Sequence, residues 1–170
     1  MKKYFLNSLL IVFSLLFIVS CKIQYGFTQP SSIDADTFQV NYFENTALLI
    51  EPGFERDFKI ALEDLIQDQT NYRLVPSNGD LVYEGEITDY RISPTTATSQ
   101  NTAAQNRLTV SVKLRFYNKK NEEDDVEQSF SFFYDYPGSA QLVGAQKATA
   151  HEEIIDRITQ DIINATLAKW

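Results

Sequence analysis

The chain has 170 residues, 44% of them hydrophobic, with 15 basic against 23 acidic side chains and a formal charge of −8. That acidic balance argues against nucleic-acid binding, which needs clustered Lys and Arg. With one cysteine there is no disulfide framework, so the fold stands on packing alone.

Met1-Lys2-Lys3 supplies two positive charges, and Leu9 to Val19 (LLIVFSLLFIV) is apolar except for Ser14. A bilayer span takes about 20 apolar residues, so this run has the length of a signal-peptide core. Ile18-Val19-Ser20 then precedes Cys21, an order that resembles a bacterial lipobox. In that class the thiol receives a diacylglyceryl group, the chain is cut before the cysteine, and the new amine is acylated. Each buried methylene contributes about 0.8 kcal/mol, and two or three chains hold a protein on a bilayer stably. The expected organisation is a lipoprotein signal peptide over 1–20, a lipidated N-terminus and short tether over 21–34, and a single α/β sandwich domain over 35–170. Removing residues 1–20 leaves 13 basic and 23 acidic side chains, a charge of −10. Such a body is not drawn broadly to anionic headgroups, which makes Cys21 the expected membrane anchor. Lys22 follows it with no acidic run behind. By the sorting rules of the class, that favours the periplasmic side of the outer membrane.

Phe38, Val40 and Tyr42 alternate with polar residues and predict a half-buried strand. Pro52-Gly53 opens a segment in which Phe54, Phe58, Ala61, Leu62, Leu65 and Ile66 fall on one helical face. Tyr72 to Val75 reads as a short strand closed by the turn cluster Pro76-Ser77-Asn78-Gly79. Leu81, Tyr83, Gly85 and Ile87 share one strand face. After Asp89 the parity inverts to Tyr90 and Ile92, which fits either a β-bulge or a switch in the covered face. Residues 94–106 (PTTATSQNTAAQN) are uncharged, small and polar, a hairpin tip or a probe that enters a partner.

Leu108, Val110, Val112, Leu114 and Phe116 form the clearest strand, with Thr109, Ser111, Lys113, Arg115 and Tyr117 facing the other way. Val126, Gln128, Phe130, Phe132, Tyr134 and Tyr136 form its partner. Between them Asn118 to Asp125 (NKKNEEDD) reads as a solvated turn, because a calcium loop needs spaced acids and a central glycine. Ile154, Ile155, Ile158, Ile162 and Ala165 make a terminal amphipathic helix, and Trp170 ends the chain. The order predicts an α+β fold: a two-layer sandwich, with two amphipathic helices packed on one face of a mixed, mostly antiparallel four- to five-stranded sheet. The first helix serves as a right-handed crossover between parallel strands.

Signs of catalysis are sparse. His151 is the only histidine, has no HxxxH, HExxH or Cys/His company, and reads as a surface residue in the first turn of the last helix. Ser129 and Ser131 lack a GxSxG setting. Glu84 and Glu86 share a strand face, where paired carboxylates can do acid–base work but are more commonly just solvated. No phosphate-cradling glycine loop exists. Neither a catalytic residue, a metal nor a cofactor is expected. The candidate contacts for phosphate or partner carboxylates are Arg91, Arg107, Lys113 and Arg115.

Several segments carry a family resemblance. They are the lipobox and Tyr25-Gly26-Phe27, Asn41-Tyr42-Phe43-Glu44-Asn45, and Asp80-Leu81-Val82-Tyr83-Glu84-Gly85-Glu86-Ile87-Thr88. Asn106-Arg107-Leu108-Thr109-Val110, Phe116-Tyr117-Asn118, Glu127-Gln128-Ser129-Phe130-Ser131 and Ala168-Lys169-Trp170 continue the series. Together they resemble Bacteroidetes LptE-type lipopolysaccharide-assembly lipoproteins along almost the whole chain after Cys21. The resemblance implies a non-enzymatic outer-membrane lipoprotein that plugs and helps assemble a large β-barrel translocon, LptD, and that binds lipopolysaccharide. Two readings from other classes stand beside it. One is a periplasmic lipoprotein that activates a cell-wall synthase; the other is an enzyme built on Glu84 and Glu86.

Overall fold

The computed structural model describes residues 33–97 and 103–168. The expected signal segment, Cys21, most of the tether, the middle of the 94–106 tip and Trp170 lie outside the described residues.

Strand β1 (Thr37–Asn45) leads into helix α1 (Phe54–Gln69), then the two-residue strand β2 (Arg73–Leu74). Strands β3 (Leu81–Ala97), β4 (Ala103–Asn118) and β5 (Val126–Pro137) follow as a meander, and helix α2 (Gly144–Thr166) closes the order. Spatially the strands run β2-β1-β3-β4-β5. β1 is parallel to both β2 and β3, while β3–β4 and β4–β5 are antiparallel. The sheet is mixed and curled, and both helices pack on the same face of it. That is the architecture the sequence predicted.

The core face follows alternation where the strands are regular. Leu108, Val110, Val112, Leu114 and Phe116 on β4 are all fully buried. From α1 they meet Phe54, Phe58, Leu62 and Ile66, and from α2 Ile154, Ile158 and Ile162. Each such side chain contributes roughly 1.5–3 kcal/mol on burial. Ala61 and Leu65 are partly buried at the edge of this core. On α2, Thr166 is buried while Ala165 is exposed, contrary to the sequence reading. The Thr166 hydroxyl donates to Ile162 O at 2.8 Å, so the polar residue is satisfied within its own helix.

Two irregularities reset the parity. In β1 the register against β3 shifts between Val40 and Phe43, so Phe43 is fully buried and Tyr42 is 61% exposed. The alternation had put Tyr42 inside. Phe43 pairs with Gly85, and a Cβ on Gly85 would lie 2.1 Å from Lys113 O and 2.8 Å from the Phe43 ring. The missing side chain is what admits Phe43. In β3 the register slips between Ile87 and Asp89, leaving Thr88 as the extra residue. A bulge, rather than a change of covered face, therefore explains the inverted parity, and Tyr90 returns to the core opposite Val110.

The helix starts also have local causes. Gly53 caps α1 at φ 88°, in the left-handed region that favours glycine, and Glu55 and Asp57 occupy the first turn where the helix dipole favours negative charge. Thr70 ends α1 by donating its hydroxyl to Ile66 O at 2.7 Å.

Candidate functional site: the outer face of the sheet

The face of the sheet away from the helices carries all four cations named from sequence. Its rows are set by register: Glu84 opposite Arg115 opposite Glu127, and Glu86 opposite Lys113 opposite Ser129. Beyond the bulge come Asp89, Ser111 and Ser131, then Arg91, Thr109 and Phe133, then Ser93, Arg107 and Asp135. The charged residues that β4 supplies on this face are all cations, and its two neighbours supply the carboxylates and Arg91.

Each cation has a partner within the chain. Arg115 Nε lies 3.3 Å from Glu84 Oε1, and its Nη1 lies 3.0 Å from Glu86 Oε1. Lys113 Nζ reaches diagonally to Glu127 Oε1 at 2.6 Å. Arg107 donates twice to Asp135, at 2.7 and 2.8 Å, and lies 3.5 Å above the Phe133 ring. Arg91 is the loosest, 3.5 Å from Asp89. On β1, Asn41 Nδ2 extends the network by donating to Glu84 Oε2 at 3.1 Å, and Gln39 Nε2 donates to Asn41 Oδ1 at 3.0 Å.

The titration behaviour agrees with this geometry. Hydrogen bonds to Glu86 and Glu84 raise the Arg115 pKa, and the bond to Glu127 raises that of Lys113. The Lys113 ammonium holds Glu127 below the usual carboxylate range, and Arg107 does the same for Asp135. Water screens pairs of this kind, so each contributes little to stability. Their consequence is charge cancellation across a broad polar surface, which suits docking against another polar wall. Glu84 and Glu86 are both held by one guanidinium, that of Arg115.

Sequence reasoning placed Lys113 and Arg115 on this face and named Arg91 and Arg107 as candidate contacts beside them, but missed Glu127, Asp135 and Phe133. The signal was present, since all three sit on the outward parity of β5.

Two further expectations are corrected. His151 is half-buried well inside α2, which begins at Gly144. Its Nε2 lies 2.9 Å from the Tyr90 hydroxyl, and its ring packs edge-on against Phe54 at 5.0 Å. Burial lowers its pKa. The acidic turn is also more than solvated: Asn118 N donates to Asp125 at 2.8 Å, and Asn118 Nδ2 donates to the buried Asp124 at 2.8 Å.

At the start of β1, Asp80 Oδ2 accepts from Asp36 N, Thr37 N and Thr37 Oγ1 at 2.9–3.1 Å, while Thr37 Oγ1 accepts from Asp80 N at 3.0 Å. Those bonds, led by Asp36 N, depress the Asp80 carboxyl. This knot fixes the start of β1 against the start of β3.

A family model described as lipopolysaccharide-assembly, LptE, matches residues 35–166. The chain belongs to that family. Its role accordingly lies in lipopolysaccharide assembly, as a lipoprotein of the cell envelope. No curated protein matches it. Solved structures with the same fold include an uncharacterized lipoprotein B from Nitrosomonas europaea, 14% identical, TM-score 0.56, covering 82% of this chain and 87% of that one. A hypothetical protein from Chlamydia trachomatis is 9% identical, TM-score 0.55, covering 79% and 99%. A protein from Xanthomonas campestris is 12% identical, TM-score 0.52, covering 82% and 86%. At such identities these likenesses speak for the fold alone.

Proposed function

We propose that this LptE-family member is anchored in the outer membrane through an acylated Cys21, and that it docks in an LptD-type β-barrel. There it takes part in barrel assembly and in the delivery of lipopolysaccharide to the surface. The observation that carries the reading is the charge-balanced outer sheet face of a lipopolysaccharide-assembly family member. The lumen of a large barrel is polar and wet, and a broad face with its own charges cancelled enters it without leaving ions unpaired. The acidic body disfavours unaided binding of an anionic lipid, so the barrel provides the main attachment and lipopolysaccharide is met inside it. Arg91, whose partner is the most distant of the four, is the cation most available to a lipid phosphate. The function is non-enzymatic, with Glu84 and Glu86 serving the ion-pair lattice.

The test is affinity purification of the full chain, at native expression, from detergent-solubilised envelope. A barrel of several hundred residues should co-elute in near-equal amount, and metabolic labelling with a palmitate analogue should mark the protein unless Cys21 is replaced by Ser. Recovery of an unlabelled, solitary protein would sink the reading.

A further inference from the structure

We propose that Leu48-Leu49-Ile50, between β1 and α1, is a preformed apolar peg that seats in an aliphatic socket with a basic rim on the barrel partner. This rests on the barrel partnership proposed above. Leu48 is 106% exposed, Ile50 59% and Leu49 49%. Among the exposed large hydrophobic side chains of the described residues, these alone are consecutive. Three adjacent aliphatics in water are unfavourable unless something covers them.

The loop does not owe this exposure to slackness, because both of its ends are tied down. Thr46 donates from N and Oγ1 to Ile87 O, at 2.9 and 3.2 Å. Ala47 is buried and its N donates to Asn45 Oδ1 at 3.2 Å. On the other side Glu51 holds Lys147 of α2 at 2.7 Å. A fixed peg has already lost its conformational entropy before it binds.

Position and charge select the occupant. The tether enters β1 at Thr37, and the loop leaves it after Asn45. Eight steps of about 3.3 Å put the two ends roughly 26 Å apart, so the loop lies at the far end of β1 from the segment that leads back to residue 21. Glu44, Glu51 and Glu55 flank the peg in sequence, and Glu51 already claims Lys147. That rim repels anionic headgroups, and a two-fold pairing of copies through the loop would bring like acids together. It complements a socket edged by Lys or Arg on a protein.

The experiment uses the full chain in its native envelope, as wild type, as Leu48→Asp with Ile50→Asp, and as Ile60→Asp, a control at an exposed aliphatic on α1. Burial of each aliphatic is worth about tenfold in affinity, so the double variant should recover at least about tenfold less barrel. Wild type and Ile60→Asp should recover it equally. A photoreactive residue at position 48 should form an adduct with the barrel, and this decides the matter if the double variant fails to accumulate. Equal barrel recovery by all three chains overturns the peg while leaving the partnership intact. An adduct only with lipid or with a second copy also overturns it. No barrel with wild type overturns both.

Discussion

The two solvent-facing surfaces of the molecule treat charge in opposite ways. The five strands carry six acidic and five basic side chains, and the four cations of the outer face are each paired across or along the sheet. The two helices carry nine acidic side chains against four basic ones. Between them runs a groove of about 440 Å³ lined by Asp64, Asp68 and Asp156, with Ala61 and Leu65 beside them. Of the two layers, the helices therefore carry the larger net negative charge, −5 against −1 for the strands. An anionic lipid or a polar barrel wall meets far less repulsion at the sheet than at the helices. One fold thus presents a nearly charge-balanced sheet face and a more acidic helix layer.

That contrast depends on a sheet held in register, and the strongest way to break it is Gly85→Ala. The new methyl would strike Lys113 O and the Phe43 ring, prying β3 from β4 between Glu84 and Glu86. A loss of about 3 kcal/mol is expected, read as a lower urea midpoint, together with loss of barrel recovery. Asp80→Asn comes next. It removes a charged acceptor of three hydrogen bonds at the start of β1 and should cost about 1–3 kcal/mol in the same assay.

The pH dependence sharpens the picture on the helix side. Burial depresses the pKa of His151, so the folded state favours the neutral ring. Its contribution to stability is fully present above the unfolded value of about 6.5 and is lost as pH falls toward the folded value. Urea midpoints should drop between about pH 8 and pH 5, and His151→Gln should flatten that drop. The depressed carboxyls of Asp80, Glu127 and Asp135 act in a lower window. Their contributions hold above the ordinary carboxylate range and vanish as pH falls below it.

Arg115→Met has the smallest effect on stability, because the half-buried pairs it breaks are screened by water. It strands Glu84 and Glu86 on the docking face and should weaken barrel recovery more than it lowers the urea midpoint. Asp64→Asn with Asp68→Asn on the helix layer should leave recovery unchanged.

How much of this was legible in the sequence depends on whether a feature is local. β4 could be read outright, since apolar and polar residues alternate without a break from Leu108 to Tyr117. Its parity alone put Lys113 and Arg115 outside. Phe43 could not be read, because nothing within β1 announces that its register will slip to meet a glycine in β3. His151 escaped for the same reason: its setting is made by Phe54 and Tyr90, far off in the chain. The ion-pair lattice lies between these cases. Parity carries the signal for both sets of charges, although Glu127 and Asp135 were missed, and only the register says which carboxylate meets which cation.

Photoreactive residues placed on the two surfaces within the native envelope give the most direct test. Thr109 and Tyr117 would represent the outer sheet face, and Asp64 and Asp156 the helix layer. The account predicts barrel adducts from the sheet positions and few or none from the helix positions. Barrel adducts formed from Asp64 and Asp156, with none from Thr109 or Tyr117, would contradict it.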